Sequence, residues 1–322
     1  MYILTGGAGF IGSVFLKTLN DAGIDDILVV DHLGQSEKWT NLRGKKFADY
    51  EDKKDFHSRL SAGRLPLGIK GIIHLGACSS TTERDADYLM HNNFGYTKAL
   101  ATWGLEKGVR FIYASSGAVY GDGSLGFSDD DATTPLLKPL NMYGYSKQSF
   151  DEWAIRTGAA KKIVGIRFFN VYGPNEYHKG DMASVIFKSY NQIKKSGRIE
   201  LFKSMNPNYK DGEQRRDFIY VKDCCSVLLK LLEEKAVAGI FNLGTGKSRT
   251  WSDLAAAVFS AMGVKQDVRY IDMPPGLAEK YQYLTEAKTE KLTAALPNLG
   301  FTTLEEGVKD YVSHLSMADS YL

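Results

Sequence analysis

The chain opens with Tyr2-Ile3-Leu4, a short apolar run without alternation. Runs of this kind mark strands buried on both faces of a parallel sheet. The pattern returns at Ile27-Leu28-Val29-Val30, Ile72-Ile73-His74-Leu75, Arg110-Phe111-Ile112-Tyr113-Ala114 and Ile163-Val164-Gly165-Ile166-Arg167-Phe168. Between these runs apolar residues recur at helical spacing. Phe10, Ile11, Val14, Phe15 and Leu19 form one stripe, a long helix is expected around Tyr88 to Lys107, and another over Tyr145 to Trp153. Strand alternating with helix predicts the α/β class and a doubly wound parallel sheet. Ligands of such sheets bind beyond the carboxyl ends of the strands. Gly76-Ala77, Ser115-Ser116 and Asn170 all fall at those ends.

After Phe169 the alternation stops. Gly173-Pro174 breaks the chain, a polar basic loop runs from Asn175 to Asp181, and a hydrophilic insertion with the composition of a mobile loop covers Ser204 to Arg216. Ile240-Phe241-Asn242-Leu243-Gly244 reads as a late strand returning to the sheet. The expected organisation is a dinucleotide-binding domain over 1–169, completed by that strand near 239–244. Residues 170–322 mainly form a smaller, interleaved substrate-binding domain.

Composition narrows the function classes. The 322 residues suffice for two domains, and a net charge of +2 carries no signal for nucleic acid or membrane surfaces. No apolar run approaches the ~20 residues of a membrane helix. The first strand begins at once, leaving no room for a signal peptide. Cys78, Cys224 and Cys225 lack CxxC spacing and read as reduced thiols of a cytoplasmic protein. The six histidines form no metal-ligand pattern, so no metal is expected.

The chemistry-bearing stretches come in a telling order. Gly6-x-x-Gly9-x-x-Gly12 sits between the first strand and the first helical stripe. There Gly6 permits the tight turn, Gly9 lets backbone approach a pyrophosphate, and Gly12 lets helix pack close to strand. The helix N-terminus offers free N–H groups to the phosphates. Asp31 ends the second strand, where an acid holds a ribose 2′-hydroxyl and favours NAD. Lys38 and Lys53 follow and could neutralise the 2′-phosphate of NADP, so residue chemistry leaves that choice open. Tyr-x-x-x-Lys occurs three times, at Tyr50…Lys54, Tyr143…Lys147 and Tyr190…Lys194. Only Tyr143…Lys147 lies downstream of a strand-end Ser115-Ser116 and at the head of a helix. Residues four apart share a helix face. The Lys147 ammonium is expected to favour tyrosinate and draw Tyr143 toward neutral acid–base range, while Ser116 bonds the reacting oxygen.

With His74-Leu75-Gly76-Ala77 and Asn170-x-Tyr172-Gly173-Pro174, these motifs resemble the extended short-chain dehydrogenase/reductases that act on nucleotide sugars. That resemblance implies the Rossmann form of the doubly wound sheet. Four stretches narrow it to the ADP-L-glycero-D-manno-heptose 6-epimerases: Gly76 to Glu83, Asn92-Asn93, His178 to Ser184, and Arg216-Asp217-Phe218. The likeness runs end to end, through Tyr281-Gln282. It implies a cytoplasmic, homo-oligomeric isomerase of lipopolysaccharide core biosynthesis that inverts C-6 of ADP-D-glycero-D-manno-heptose and prefers NADP. It implies catalytic roles for Tyr143 and Lys179, with Lys147 and Ser116 in support. Cofactor contacts are implied at Phe10, Ile11, Asp31, His32, Lys38, Lys53, Leu75, Gly76, Ala77, Cys78, Ser79, Asn92, Lys147, Val171 and Lys179. Substrate contacts are implied at Ser116, Asn170, Asp181, Lys188, Phe202, Lys203, Arg216 and Tyr281. Arg216 suits a diphosphate because a guanidinium fork matches phosphate geometry. The chain departs from other members in having Asp181 for serine, Lys188 for histidine, and a longer loop before Arg216.

The chemistry explains a redox cofactor in an isomerase. C-6 of the heptose is a plain carbinol, so direct deprotonation is not accessible. Transient oxidation to a 6-keto sugar erases the stereocentre, and re-reduction on the other face inverts it. Three alternatives weigh less. A 4,6-dehydratase needs a carboxylate pair after the serine, where this chain has Gly117-Ala118. A UDP-hexose 4-epimerase would lack His178-Lys179-Gly180. An inactive dinucleotide-binding regulatory protein would have no use for intact Ser116, Tyr143 and Lys147 together.

Overall fold

The computed structural model describes residues 1–274 and 281–322. Its first half runs β1 (Tyr2–Thr5), α1 (Phe10–Asp21), β2 (Ile27–Asp31), β3 (Asp49–Asp52), α2 (Lys53–Ser61), β4 (Gly71–His74), α3 (Ala86–Leu89), α4 (Tyr96–Glu106), β5 (Arg110–Ser116), α5 (Met142–Arg156) and β6 (Val164–Phe168). The second half adds β7 (Asn170–Tyr172), α6 (Val185–Ser196), β8 (Ile199–Phe202), β9 (Arg215–Arg216), β10 (Phe218–Tyr220), α7 (Val221–Glu233), β11 (Gly239–Leu243), β12 (Arg249–Thr250), α8 (Trp251–Met262), β13 (Val268–Ile271), α9 (Glu290–Ala295) and α10 (Leu304–Leu315).

Seven strands form one parallel sheet in the order β3-β2-β1-β4-β5-β6-β11. Strand order reverses between β1 and β4, which opens a crevice at their carboxyl ends. The apolar runs are continuous because both sheet faces are covered. Leu4, Val29, Ile73, Ile112 and Ile166 face one helical layer, whereas Ile3, Leu28, Ile72, Phe111 and Tyr113 face the other. Strand β3, Asp49-Tyr50-Glu51-Asp52, has no apolar signature and was not expected from the pattern. It is an edge strand, and its charges suit an exposed edge.

Two helices differ in detail from the sequence expectation. The rod expected over Tyr88 to Lys107 starts at Ala86 and carries a π-helical turn at Met90–Gly95, which turns Asn92 and Asn93 inward to buried positions. The helix expected from Tyr145 begins at Met142, because the Asn141 side chain caps it by accepting from Gly144 N. Tyr143 therefore sits inside the first turn.

The second half is threaded through the first. β7 pairs with β10, β9 with β12, and β8 with β13, as three two-stranded ribbons. Between them α7 packs on α1, and β11 joins the main sheet beside β6. One apolar cluster runs from Val14 and Leu19 on α1, through Leu228 on α7, to Leu254, Val258, Val308 and Tyr311 on α8 and α10.

Candidate active site

At the cofactor end, Gly9 precedes α1 without a capping side chain, so its first-turn N–H groups face the crevice unblocked. Gly6 has φ of 71°, and a Cβ there would lie 2.6 Å from Gly76 N. A Cβ on Gly12 would run into the Gly6 carbonyl oxygen, so helix and strand can meet this closely only through glycine. This cradle fits a pyrophosphate. Asp31 is buried and its carboxylate is already engaged, accepting from Ala8 N at 2.8 Å, His32 N at 2.7 Å and Lys38 Nζ at 2.7 Å. Lys53 Nζ donates to Asn92 Oδ1 at 2.6 Å, and partial burial holds its ammonium below the ordinary lysine range. His32 leans outward, 3.2 Å from the Asp52 carboxylate.

The cleft extends from this cradle as a cavity of about 740 Å³. Its walls include Gly6, Gly9, Phe10, Ile11, Gly12, Asp31, Lys38 and the segment Leu75 to Ser79. Asn93 fixes that segment by accepting from Cys78 N and donating to Cys78 O, both at 2.9 Å. The π-helical turn at Met90–Gly95 is what brings Asn93 there, as such turns do at functional sites.

Ser116, Tyr143 and Lys147 share the central wall. Lys147 Nζ reaches back to the Ala114 carbonyl at 2.7 Å. Burial pushes its pKa down to about 8, opposed by the Asp151 carboxylate one helical turn on. Tyr143 keeps part of its surface open to the cleft, but surrounding protein removes most solvent and raises the phenol above its ordinary value; a hydrogen bond to Ser116 pulls it partly back. The expected lowering by Lys147 is not found. Lys147 is not among the charges that set the phenol's pKa, and desolvation decides. The two other Tyr-x-x-x-Lys matches lie elsewhere. Tyr50 and Lys54 straddle the β3–α2 junction, and Lys194 covers the Tyr190 ring at 5.6 Å on α6.

Lys179 lines the same cavity from a short turn, Tyr177–Met182, with its Nζ 5.2 Å from the centre of the Phe10 ring. Burial lowers its pKa, against the pull of the Glu176 carboxylate. Asn170 and Val171 reach the wall from β7, and Asn170 Oδ1 accepts from Thr285 Oγ1 at 3.2 Å. Asp181 and Lys188 do not line the cavity. Asp181 is exposed, and Lys188 Nζ donates to its main-chain oxygen at 2.7 Å; Met182, Ala183 and Ser184 form the wall instead. Lys203 also points away, paired with Asp272 at 2.9 Å at the end of the β8–β13 ribbon that carries Phe202.

Arg216 is 7% exposed. Its guanidinium lies 5.1 Å from the centre of the Tyr281 ring and 5.6 Å from that of Trp251, and Nη1 donates to Arg215 O at 2.9 Å. Among the described residues no carboxylate pairs with it, and burial lowers its pKa.

Several contributors escaped the sequence reading. His178 lines the cavity, with burial pushing its pKa down to about 4, so it is neutral there. Beneath the central wall, Asp151 and Arg167 form a fully buried pair at 2.9 Å. Asp151 also accepts from Tyr113 at 2.8 Å and Ser115 at 2.9 Å, while Arg167 donates to Tyr120 at 2.9 Å and Thr134 at 2.8 Å. Asp151 follows Lys147 at helical spacing, a signal available in the sequence; its burial was not.

Comparisons with known proteins identify the family. Residues 2–244 match the model of the NAD dependent epimerase/dehydratase family. The ADP-L-glycero-D-manno-heptose-6-epimerase of Nitratidesulfovibrio vulgaris strain DP4 is 56% identical, covering 100% of both chains. That of Fusobacterium nucleatum is 48% identical over the same full extent. The crystal structure of the Helicobacter pylori ADP-L-glycero-D-manno-heptose-6-epimerase superposes with a TM-score of 0.81 at 26% identity, covering 98% of this chain and 95% of that one. A UDP-N-acetylglucosamine 4-epimerase from Methanobrevibacter ruminantium reaches the same TM-score at 23% identity, which speaks for the fold. The chain belongs to the NAD dependent epimerase/dehydratase family, and within it to the ADP-L-glycero-D-manno-heptose-6-epimerases.

Proposed function

We propose that the protein inverts C-6 of ADP-D-glycero-D-manno-heptose through a transient 6-keto sugar. The observation that carries this reading is that Tyr143 and Lys179 line one cavity leading from the glycine cradle. Reversible hydride acceptance, with no net consumption, is the chemistry a nicotinamide dinucleotide supplies when bound. The cradle of Gly6, Gly9 and Gly12, with Phe10, Ile11, Leu75 to Ser79, Asn92, Lys147 and Val171, holds it. We read it as NADP. Asp31 is engaged by three donors, Lys38 among them, and Lys53 brings a second ammonium to that end, beside His32.

The chain's own groups move the protons. Lys179, pushed by burial toward the neutral amine, accepts the C-6 hydroxyl proton as the carbinol becomes a ketone. Tyr143, held as a neutral phenol, donates a proton to the C-6 oxygen as the ketone is reduced on its other face, and exchange with solvent then takes the proton from Lys179 and returns one to Tyr143. Ser116 bonds that oxygen, and Lys147 holds the nicotinamide ribose. Asn170, Phe202, Arg216 and Tyr281 address the nucleotide sugar, and residues 170–322, apart from the returning strand, mainly serve it. The resemblance extends the reading to a homo-oligomer working in the cytoplasm.

Proton NMR of ADP-D-glycero-D-manno-heptose, incubated with purified protein and no added cofactor, tests this. The L-glycero epimer should appear, from a retained dinucleotide. If nothing changes even with NADP added, the heptose assignment fails and UDP-hexose 4-epimerisation is tested next.

A further inference from the structure

Resting on the reading of a nucleotide-sugar site, we propose that Trp251 is a positioning residue for the diphosphate end of the substrate. Its indole orients Arg216 and Tyr281 together. Trp251 lines the main cavity, and Arg216 and Tyr281 both contact its indole. The Trp251 ring stacks under the Arg216 guanidinium at 5.6 Å, and its Nε1–H donates to the Tyr281 hydroxyl at 2.8 Å. Tyr281 covers the guanidinium on its own ring at 5.1 Å. The cation is thus held by two aromatic faces that are tied to each other.

Local structure explains why Trp251 can bear this role. It is the first residue of α8, and Thr250 caps that helix in a reciprocal box with Asp253. Arg249 and Thr250 pair antiparallel with Arg216 and Arg215, so strand register sets the indole beside the guanidinium. Trp251 N donates to Gln214 O at 3.2 Å, and Phe218 supports the ring edge-on at 5.2 Å. Gln214 and Phe218, which hold Trp251 through its backbone and its ring, each lie two residues from Arg216 in the chain.

A buried guanidinium whose partners among the described residues are a carbonyl and two π faces is costly alone and well suited to an incoming dianion. A planar fork binds phosphate only when its orientation is set beforehand. Aromatic faces leave its N–H groups free for that, which a carboxylate partner would not.

The test uses Trp251→Phe, which keeps an aromatic face and loses the N–H, with Tyr281→Phe and the double variant, each read by ADP calorimetry and steady-state epimerisation. Trp251→Phe should weaken ADP binding and raise KM for ADP-heptose by a common factor of roughly five to ten. kcat should stay within about twofold and retained dinucleotide should be unchanged. The double variant should be no worse than Tyr281→Phe alone, because both remove one coupled contact. Unchanged ADP affinity in Trp251→Phe, a loss confined to kcat, or full multiplication of the two single effects would overturn the proposal. If the wild type binds ADP but leaves the heptose unchanged, the reaction assignment fails while the Trp251 result still stands or falls on ADP affinity.

Discussion

Tyr143 and Lys179 face one cavity from supports of very different kinds. Tyr143 stands in the capped first turn of a fifteen-residue helix, above the buried Asp151–Arg167 pair. Lys179 stands on a short turn whose Gly180 has φ of 52°. Yet one physical cause acts on both. Desolvation penalises charge, so it raises a phenol and lowers an ammonium, and each group is driven toward its neutral form. In the proposed reaction a phenol donates and an amine accepts, so desolvation in one cavity favours both roles without a separate device for each.

The sharpest way to break this comparison is to remove one group at a time. Tyr143→Phe and Lys179→Met should each lower kcat by about 10²–10⁴ while the dinucleotide stays bound. Single-turnover NMR with either variant checks it; a loss below about tenfold in one would make that wall passive. Gly12→Ala tests whether the cradle is equally indispensable. Its Cβ would strike the Gly6 carbonyl, so a loss of about 1–3 kcal/mol in stability is expected by thermal melting, together with loss of bound dinucleotide.

A middle-sized effect concerns the cations at the cofactor's ribose end. Lys38→Ala and Lys53→Ala should each weaken NADP by roughly tenfold and leave NAD within about twofold, by fluorescence titration. Equal losses for both cofactors would argue for NAD. The pH dependence of Lys147 is next. An unfolded lysine titrates near 10.5, and in the fold Lys147 does so at about 8, so between these values the folded chain holds fewer protons. This group's contribution to stability therefore rises with pH across that window. Dinucleotide affinity should instead fall as pH passes upward through about 8 and the ammonium is lost, and Lys147→Arg should flatten that limb. The smallest effect is expected at the repeated motif on α6. Lys194→Ala should change stability by about 0.5 kcal/mol or less and turnover not at all, since Lys194 is exposed and its contact with the Tyr190 ring is long, at 5.6 Å.

How much of this was legible varies with chain distance. The glycine cradle is encoded within a dozen residues, so strand, turn and helix could all be read from local pattern. Ser116 and Tyr143…Lys147 were legible for the same reason, although Asn141, the capping residue that sets the true helix start, was passed over. The cluster around Arg216 is different. Arg216, Trp251 and Tyr281 come from three separated stretches of chain, and nothing local says that they meet. Burial was the other hidden quantity. Asp151 and Arg167 are residue types that normally face water, so only the folded chain shows them fully enclosed beneath the site. The same blindness misjudged Tyr143, where a nearby lysine was weighed and solvent exclusion was not.

The place of β11 has a consequence for synthesis. The sheet that carries the cofactor cradle is completed by Gly239–Leu243, and Asn242 there accepts from Tyr120 at 2.7 Å, joining the network around Arg167. A nascent chain emerging from the ribosome must therefore wait through all of β7 to α7 before that edge can close. The half-made sheet exposes β6 as an open edge meanwhile, the kind of surface that holding chaperones shield.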